Sequence, residues 1–339
     1  MDFSLQFFVV LPCLIIYLTK QVKKNKILEI YRKTADIIFV MSFISAVVWF
    51  FRAIVPVLPL NTSISIEWGS THIIEGVFGL FYECQVDDTF GLTFYRNTGI
   101  FCEAPMNSLI MSLALIYEMF FRNKISKIRV ALLCLFIITT ISSTGFIFIL
   151  AAFVIKYWEI MKNRTRRTKI IYFSIFIIMI PLLALFLNRL FDTKSDISSY
   201  MVRLVDYITG VYAFKENPVF GVGYNNITAL YVYKSVLMAQ YDINTFNTGF
   251  SNSITGILGQ GGIILTAVYF FPFIQLIVNA KKYKNINYRY FSILLIVLLT
   301  FTIFHARYIM IYFIALAYAV FLSSTTAKAG KNNIKVSKK

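Results

Sequence analysis

Long apolar runs alternate with short polar connections along the chain. The runs fall at about 3–19, 36–60, 107–121, 129–157, 170–190, 252–280, 290–304 and 308–323. Most carry almost no charge and reach or approach the length that an α-helix needs to cross a hydrocarbon core. The run at 129–157 is different. As one helix it would extend about 43 Å, against a core of roughly 30 Å. Basic residues flank both of its ends, so an even number of crossings fits better. The pattern predicts two short helices broken near Ser142-Ser143-Thr144-Gly145, partly re-entrant or shielded by neighbours. A single tilted helix is the competing reading and would put basic connections on both sides of the membrane. The expectation is an all-α integral membrane protein with about nine transmembrane or partly re-entrant helices. It has one polytopic domain over 1–323 and a basic, disordered tail over 324–339. Nothing resembling a small-x-small cleavage site follows the first run, which reads as a retained helix. No internal repeat is seen.

Composition agrees. Of 339 residues, 58% are hydrophobic and 14% charged, with a mean hydropathy of +0.71. A soluble domain of this size could not hide so much apolar surface. The formal charge of +17 invites a nucleic-acid reading, but its distribution argues against one. Most cations sit in the short connections 20–35, 122–129, 156–169 and 281–289 and in the tail. Short basic loops stay on the cytoplasmic side, so the charge reports orientation, with some attraction to anionic lipid heads. The amino terminus is then outside and the carboxyl terminus inside. Two sizeable outer loops remain, at about 61–106 and 191–251, and they hold most of the acidic residues.

Several positions are unfavourable in lipid. Arg52 lies near the outer end of the second run, before Pro56 and Pro59. It either faces a cavity or partner, or snorkels to the outer headgroups. Pro181 and Pro272 are expected to kink their helices. Gly256, Gly259, Gly261 and Gly262 allow either close helix packing or a break. Cys13 and Cys134 read as small core residues, whereas Cys84 and Cys102 share an outer loop where a disulfide is chemically feasible. With two histidines and no ligand spacing, no metal site is expected. Asp87-Asp88 reads as a solvated acidic turn rather than a cation site.

Two segments carry candidate chemistry. The first outer loop ends in Arg96, Gly99, Phe101, Glu103 and Pro105. The second holds Arg203, Asp206, Lys215 and Glu216, then Asn217-Pro218-Val219-Phe220-Gly221-Val222-Gly223, and ends in Ser251-Asn252. A large polar loop with a basic residue and a tight turn, in a chain otherwise mostly apolar, points to binding or chemistry. The layout resembles the family of O-antigen polymerases, capsular polysaccharide polymerases and O-antigen ligases. The resemblance covers 96–105, the Ser142–Gly145 break, 203–226 and 251–262. Ligases of this family resemble one another in a His-Asn pair where this chain reads Ser251-Asn252, which looks more like the polymerase side.

The resemblance implies a metal- and cofactor-independent glycosyltransferase in the bacterial cytoplasmic membrane. Its donor would be an undecaprenyl-pyrophosphate-linked oligosaccharide, with membrane lipid, a flippase and a chain-length regulator as further partners, and no nucleic acid. A hydroxyl of a second lipid-linked repeat would attack the anomeric carbon while lipid diphosphate leaves. Guanidinium groups bind phosphate oxygens in pairs and stabilise the charge that develops there. Arg203 and Arg96 are therefore the leading catalytic candidates. Glu103 and His305 are candidate bases, beside Asp206 and Glu216, which the sequence does not rank. Arg307, Lys215, Tyr207, Tyr224, Asn252 and Arg52 are candidate substrate-binding residues, with tyrosines available to stack on sugars. A ligase, or a lipid-linked oligosaccharide flippase or other transporter, is the alternative. A transporter should carry polar residues along its helix centres, and these helices are nearly free of charge.

Overall fold

The computed structural model describes residues 3–24, 26–67, 71–87, 94–161, 164–165, 197–241, 250–280 and 286–336. Ten helices appear among them: α1 (Leu5–Lys23), α2 (Ile27–Ile54), α3 (Ala104–Phe121), α4 (Lys127–Thr139), α5 (Ser143–Met161), α6 (Ile197–Glu216), α7 (Ile227–Gln240), α8 (Ser253–Val278), α9 (Asn287–Phe301) and α10 (Tyr308–Val336). Five of these, α1, α2, α3, α5 and α8, are long and apolar enough to cross a membrane, and the shorter apolar helices α9 and Tyr308–Ser323 accompany them. The structure is that of an all-α membrane protein. The run at 170–190 lies outside the described residues, as do Pro181 and Asp88.

Packing divides the chain into two units. One comprises Met1–Lys33, Arg203–Asn244 and Thr248–Lys339; the other is mainly Thr34–Val202. In the first unit α1 packs along α10, and α8 packs on both α9 and α10. In the second, α3 packs on α4 and α5. Most of α3 is buried, which suits a sequence apolar on every side.

Three features depart from the periodicity reading. The first outer loop is not simply a loop. It folds into an antiparallel sheet of β1 (Thr62–Glu67), β2 (Thr71–Val77) and β3 (Phe81–Tyr82), beside a short pair, β4 (Val86–Asp87) and β5 (Phe94–Tyr95). Alternation is present in Thr-Ser-Ile-Ser-Ile-Glu, and β-branched residues favour a pleated, half-buried surface. The tail was expected to lack structure, yet α10 continues through it to Val336. Cys84 and Cys102 are both free thiols; the Cys84 thiol instead donates to the Cys102 carbonyl. Burial first, then the neighbouring Cys102 and Glu103, push Cys84 up to about 12. Cys102 is raised to about 11, so neither readily forms thiolate.

The cations of the 122–129 connection are partly paired. Arg122 and Arg129 both bind Glu118, which is fully buried, and both reach Asp36. Two acids and two guanidinium groups thus tie α2, α3 and α4 together at that end of the second unit.

Candidate functional site

The break predicted inside 129–157 is present, between Thr139 and Ser143. The end of a helix leaves carbonyls without partners. Arg96 supplies them, donating from Nε to the Thr140 carbonyl at 2.8 Å and from a terminal nitrogen to the Ile141 carbonyl at 3.1 Å. Asn97 adds its backbone N–H to the Thr139 carbonyl and its amide to the Thr139 hydroxyl. A cation at a helix C-terminus also complements the helix dipole. Gly145 is required because a Cβ there would overlap Ser108 and Ile137. The Arg96 guanidinium is thus engaged by the fold of its own unit. Glu103 follows as the N-cap residue of α3, half-buried, with no side-chain capping bond to the helix.

Arg52 is committed as well. Its Nε donates to Glu83 at 2.6 Å and a terminal nitrogen donates to the Leu58 carbonyl. Of the two sequence readings, the structure selects the partner rather than the headgroups.

In the first unit, the Asn217–Gly223 turn docks into a second helix break. Gly262, inside α8, adopts φ 58°, a conformation open to glycine. Across this break the turn and the helix exchange backbone bonds. Val222 and Gly223 donate to the Gly259 and Gln260 carbonyls at 3.0 and 2.9 Å, while Ile263 and Ile264 donate to Pro218 and Val219. A Cβ on Gly221 would overlap the Gln260 backbone, and one on Gly262 the Val219 carbonyl. Both sequence readings of the α8 glycines hold: Gly262 makes the break, and Gly259 lets α6 approach at Gly210.

The docked turn organises a polar cluster. The Gln260 side-chain oxygen accepts from the Asn225 backbone N–H at 3.0 Å and lies 3.0 Å from His305 Nε2. That assignment puts the His305 proton on Nε2. Its Nδ1 is buried and has no partner among the described residues. His305 lies in the connection between α9 and α10, is 2% exposed, and accepts the Tyr269 hydroxyl at its carbonyl. Burial, with a smaller push from the Arg307 charge, pulls its pKa from 6.5 to about 4. At neutral pH the ring is an uncharged, weak base. Asn252 is also buried. It caps α8, its oxygen accepting from the Thr255 N–H and hydroxyl at 3.0 and 2.7 Å, and its Nδ2 is unpartnered. Tyr224 donates to Gln6 at 2.7 Å, and the Tyr207 hydroxyl donates to the Thr300 carbonyl.

Sequence reasoning missed Lys234 and Gln260. Lys234 is fully buried, 2.7 Å from Asp206, which is itself buried, and 5.3 Å from the Phe250 ring centroid. Burial raises the Asp206 pKa, and Lys234 and then Ser251 oppose that rise. A lone lysine in the apolar sequence of α7, and a lone glutamine among the α8 glycines, were the available signals. Arg203 sits one turn before Asp206 on α6 and is exposed. Its charge acts on Tyr207, lowering a pKa that burial raises. It makes no ion pair among the described residues. Lys215 and Arg307 are exposed too.

The segment 197–241 therefore presents an exposed guanidinium on a helix tied to α7 by a buried ion pair, beside a turn pinned into α8. The arrangement can take a phosphate group from solvent without first breaking an internal bond. Among the described residues no cluster of three or more His, Cys, Asp or Glu side chains could hold a metal ion.

Residues 128–270 match the family model Wzy_C, described as O-antigen ligase. No curated protein and no solved structure matches the chain. The matched span contains the α4–α5 break, Arg203, the docked turn and the start of α8.

Proposed function

Starting from that match, which supports the O-antigen polymerase and ligase family and with it a polysaccharide-forming membrane enzyme acting on lipid-linked glycan, we propose that this chain is a polysaccharide polymerase. It joins undecaprenyl-pyrophosphate-linked repeat units into a capsular or O-antigen-type polymer at the outer face of the bacterial cytoplasmic membrane. The amino terminus is outside and the carboxyl terminus cytoplasmic.

The observation that carries the reading is the exposed Arg203, held on α6 within the matched span. In the reaction an acceptor hydroxyl attacks the anomeric carbon of the donor. The new glycosidic C–O bond forms as the bond to the diphosphate breaks, and lipid diphosphate departs. Arg203 stabilises the charge gathering on the leaving oxygens, and Lys215 and Arg307 add positive field. Diphosphate leaves without a strong acid, so the step needs no metal or cofactor. The hydroxyl proton passes to a carboxylate or to bulk water; Glu103 and Glu216 are the accessible candidates, whereas Asp206 and His305 are enclosed. Arg96 and Arg52 act through the backbone they hold.

The description of the matched model favours a second reading, a ligase moving finished glycan to another acceptor. Ser251, in the place where ligases carry histidine, supports the polymerase. Deleting the gene and resolving lipid-linked and surface glycan on a gel separates the two. Single exposed repeats without a ladder are expected; full-length chains retained on carrier lipid would establish the ligase, and repeats trapped inside would establish a flippase.

A further inference from the structure

The sheet over residues 62–82 borders an open cavity of about 550 Å³, lined by His72, Glu75, Glu83 and Tyr95 with Ile73 and Ile74 alongside. It exists because β2 is paired unevenly. β1 covers β2 along its whole length, from Thr71 to Gly76, but β3 pairs with β2 only at Gly76 and Val77. One further bond, from the Glu83 N–H to the Glu75 carbonyl, continues that edge. Beyond it the chain leaves the sheet, and the lining residues border the space left open.

The lining is built. Arg52 fixes the Glu83 carboxylate at 2.6 Å, and the charge of Glu75 acts on the same guanidinium. Trp49 donates to the Tyr95 carbonyl at 2.8 Å, and Tyr95 packs against the Trp49, Val77 and Phe81 cluster. The Cys84 thiol is occupied by the Cys102 carbonyl and offers nothing to a ligand.

The volume lies in the range of small-ligand sites. Side chains alternate along β2, so Glu75 and the exposed Ile73 share a face with Glu83 and Tyr95, while Ile74 packs on the other face with Tyr82 and Cys102. Two carboxylates, a phenol ring and an aliphatic side chain combine hydrogen-bond acceptors with apolar surface. That mixture suits a pyranose: carboxylate oxygens accept from ring hydroxyls, and the C–H face of the ring lies on the tyrosine or isoleucine surface. Arg52 neutralises Glu83, which leaves Glu75 as the uncompensated carboxylate; it disfavours phosphate and uronic acids, so the ligand is uncharged or carries an amine. We infer that this cavity is a saccharide-binding subsite for a neutral or amino sugar of the glycan. The inference rests on the glycan-polymerising reading above. It gives the second unit a ligand of its own, chemically opposite to the diphosphate assigned to Arg203.

The test uses the full chain in lipid nanodiscs and saturation-transfer NMR. The probe is the lipid-free repeat-unit oligosaccharide released by mild acid from the strain's own surface polysaccharide. Wild type should show transfer to sugar ring protons. Glu75→Gln, isosteric and at an exposed position, should weaken binding about tenfold, and Ile73→Ser, on the same face of β2, should weaken it as well. Absence of transfer in wild type, or unchanged binding in both cavity variants, would overturn the subsite. The two readings fail separately. A deletion strain that loses its ladder while Glu75→Gln binds normally removes the subsite and leaves the polymerase. A deletion strain that keeps its ladder while oligosaccharide binding persists removes the polymerase and leaves the subsite.

Discussion

At the α4–α5 break the unpaired carbonyls are met by a guanidinium, that of Arg96. At the break inside α8 they are met by backbone, through the amides of Val222 and Gly223. Both breaks interrupt apolar helices where water cannot serve the freed groups, so each requires a dedicated donor. The choice of donor decides what remains for chemistry. In the second unit a cation is consumed by the fold. In the first unit glycine-rich backbone does that work, and Arg203 stays exposed. Two arginines in similar motif contexts therefore differ in availability: Arg96 is spent on the fold, whereas Arg203 stays exposed, as the proposed contact with diphosphate requires.

Variants can break this contrast. The largest effect is expected beneath Arg203. Lys234→Met leaves Asp206 buried without its counter-charge and should destabilise the protein by about 3–5 kcal/mol, measured by thermal unfolding in detergent. Adding Asp206→Leu should restore most of that loss; a double variant as unstable as the single would show that the pair does not act as one. Gly262→Val forces a β-branched residue to positive φ against the Val219 carbonyl, at about 2–3 kcal/mol or more, and should deplete folded protein from membranes. Arg96→Ala removes two charge-assisted bonds from the α4 terminus. A loss of about 1.5–3 kcal/mol is expected, with any fall in polymer tracking the loss of folded protein. Arg203→Ala should abolish polymer yet shift stability by no more than about 0.5 kcal/mol, the usual range for an exposed side chain. Near-normal polymer from that variant would take Arg203 out of the mechanism.

The smallest effect concerns His305. Its folded pKa of about 4 lies below its unfolded 6.5. Between those values the unfolded chain binds a proton that the folded chain refuses, so stability falls as pH drops through that window and is fully present above it. Asp206, raised by burial, acts in the opposite sense at the lower end. His305→Gln should flatten the decline above pH 5, and polymer formation between pH 7 and 8 should show no inflection that this substitution removes.

Much of this was legible in the chain. The apolar runs marked the helices, because lipid leaves the backbone few other options. The over-long run at 129–157 declared its break through Ser142-Ser143-Thr144-Gly145, and Asn217–Gly223 declared a turn. The sheet was harder to read: β3, β4 and β5 are two residues each, too short for alternation to register, and depend on pairing with distant strands. For the candidate site, sequence placed Arg203, Lys215 and Arg307 on polar connections, and all three are exposed. It also offered Arg96 and His305 as catalytic and Arg52 and Asn252 as substrate-binding candidates, although each is engaged inside the fold.

The sequence by itself determined a helical membrane protein with two long polar segments, since hydropathy and the distribution of charge are properties of composition along a line. Tertiary structure alone decided which polar groups are already engaged. The Arg96 bonds span 44 and 45 residues, His305 meets Gln260 across 45 and Arg52 meets Glu83 across 31. A side chain's availability depends on what the fold places within about 3 Å of it, and no local pattern encodes that.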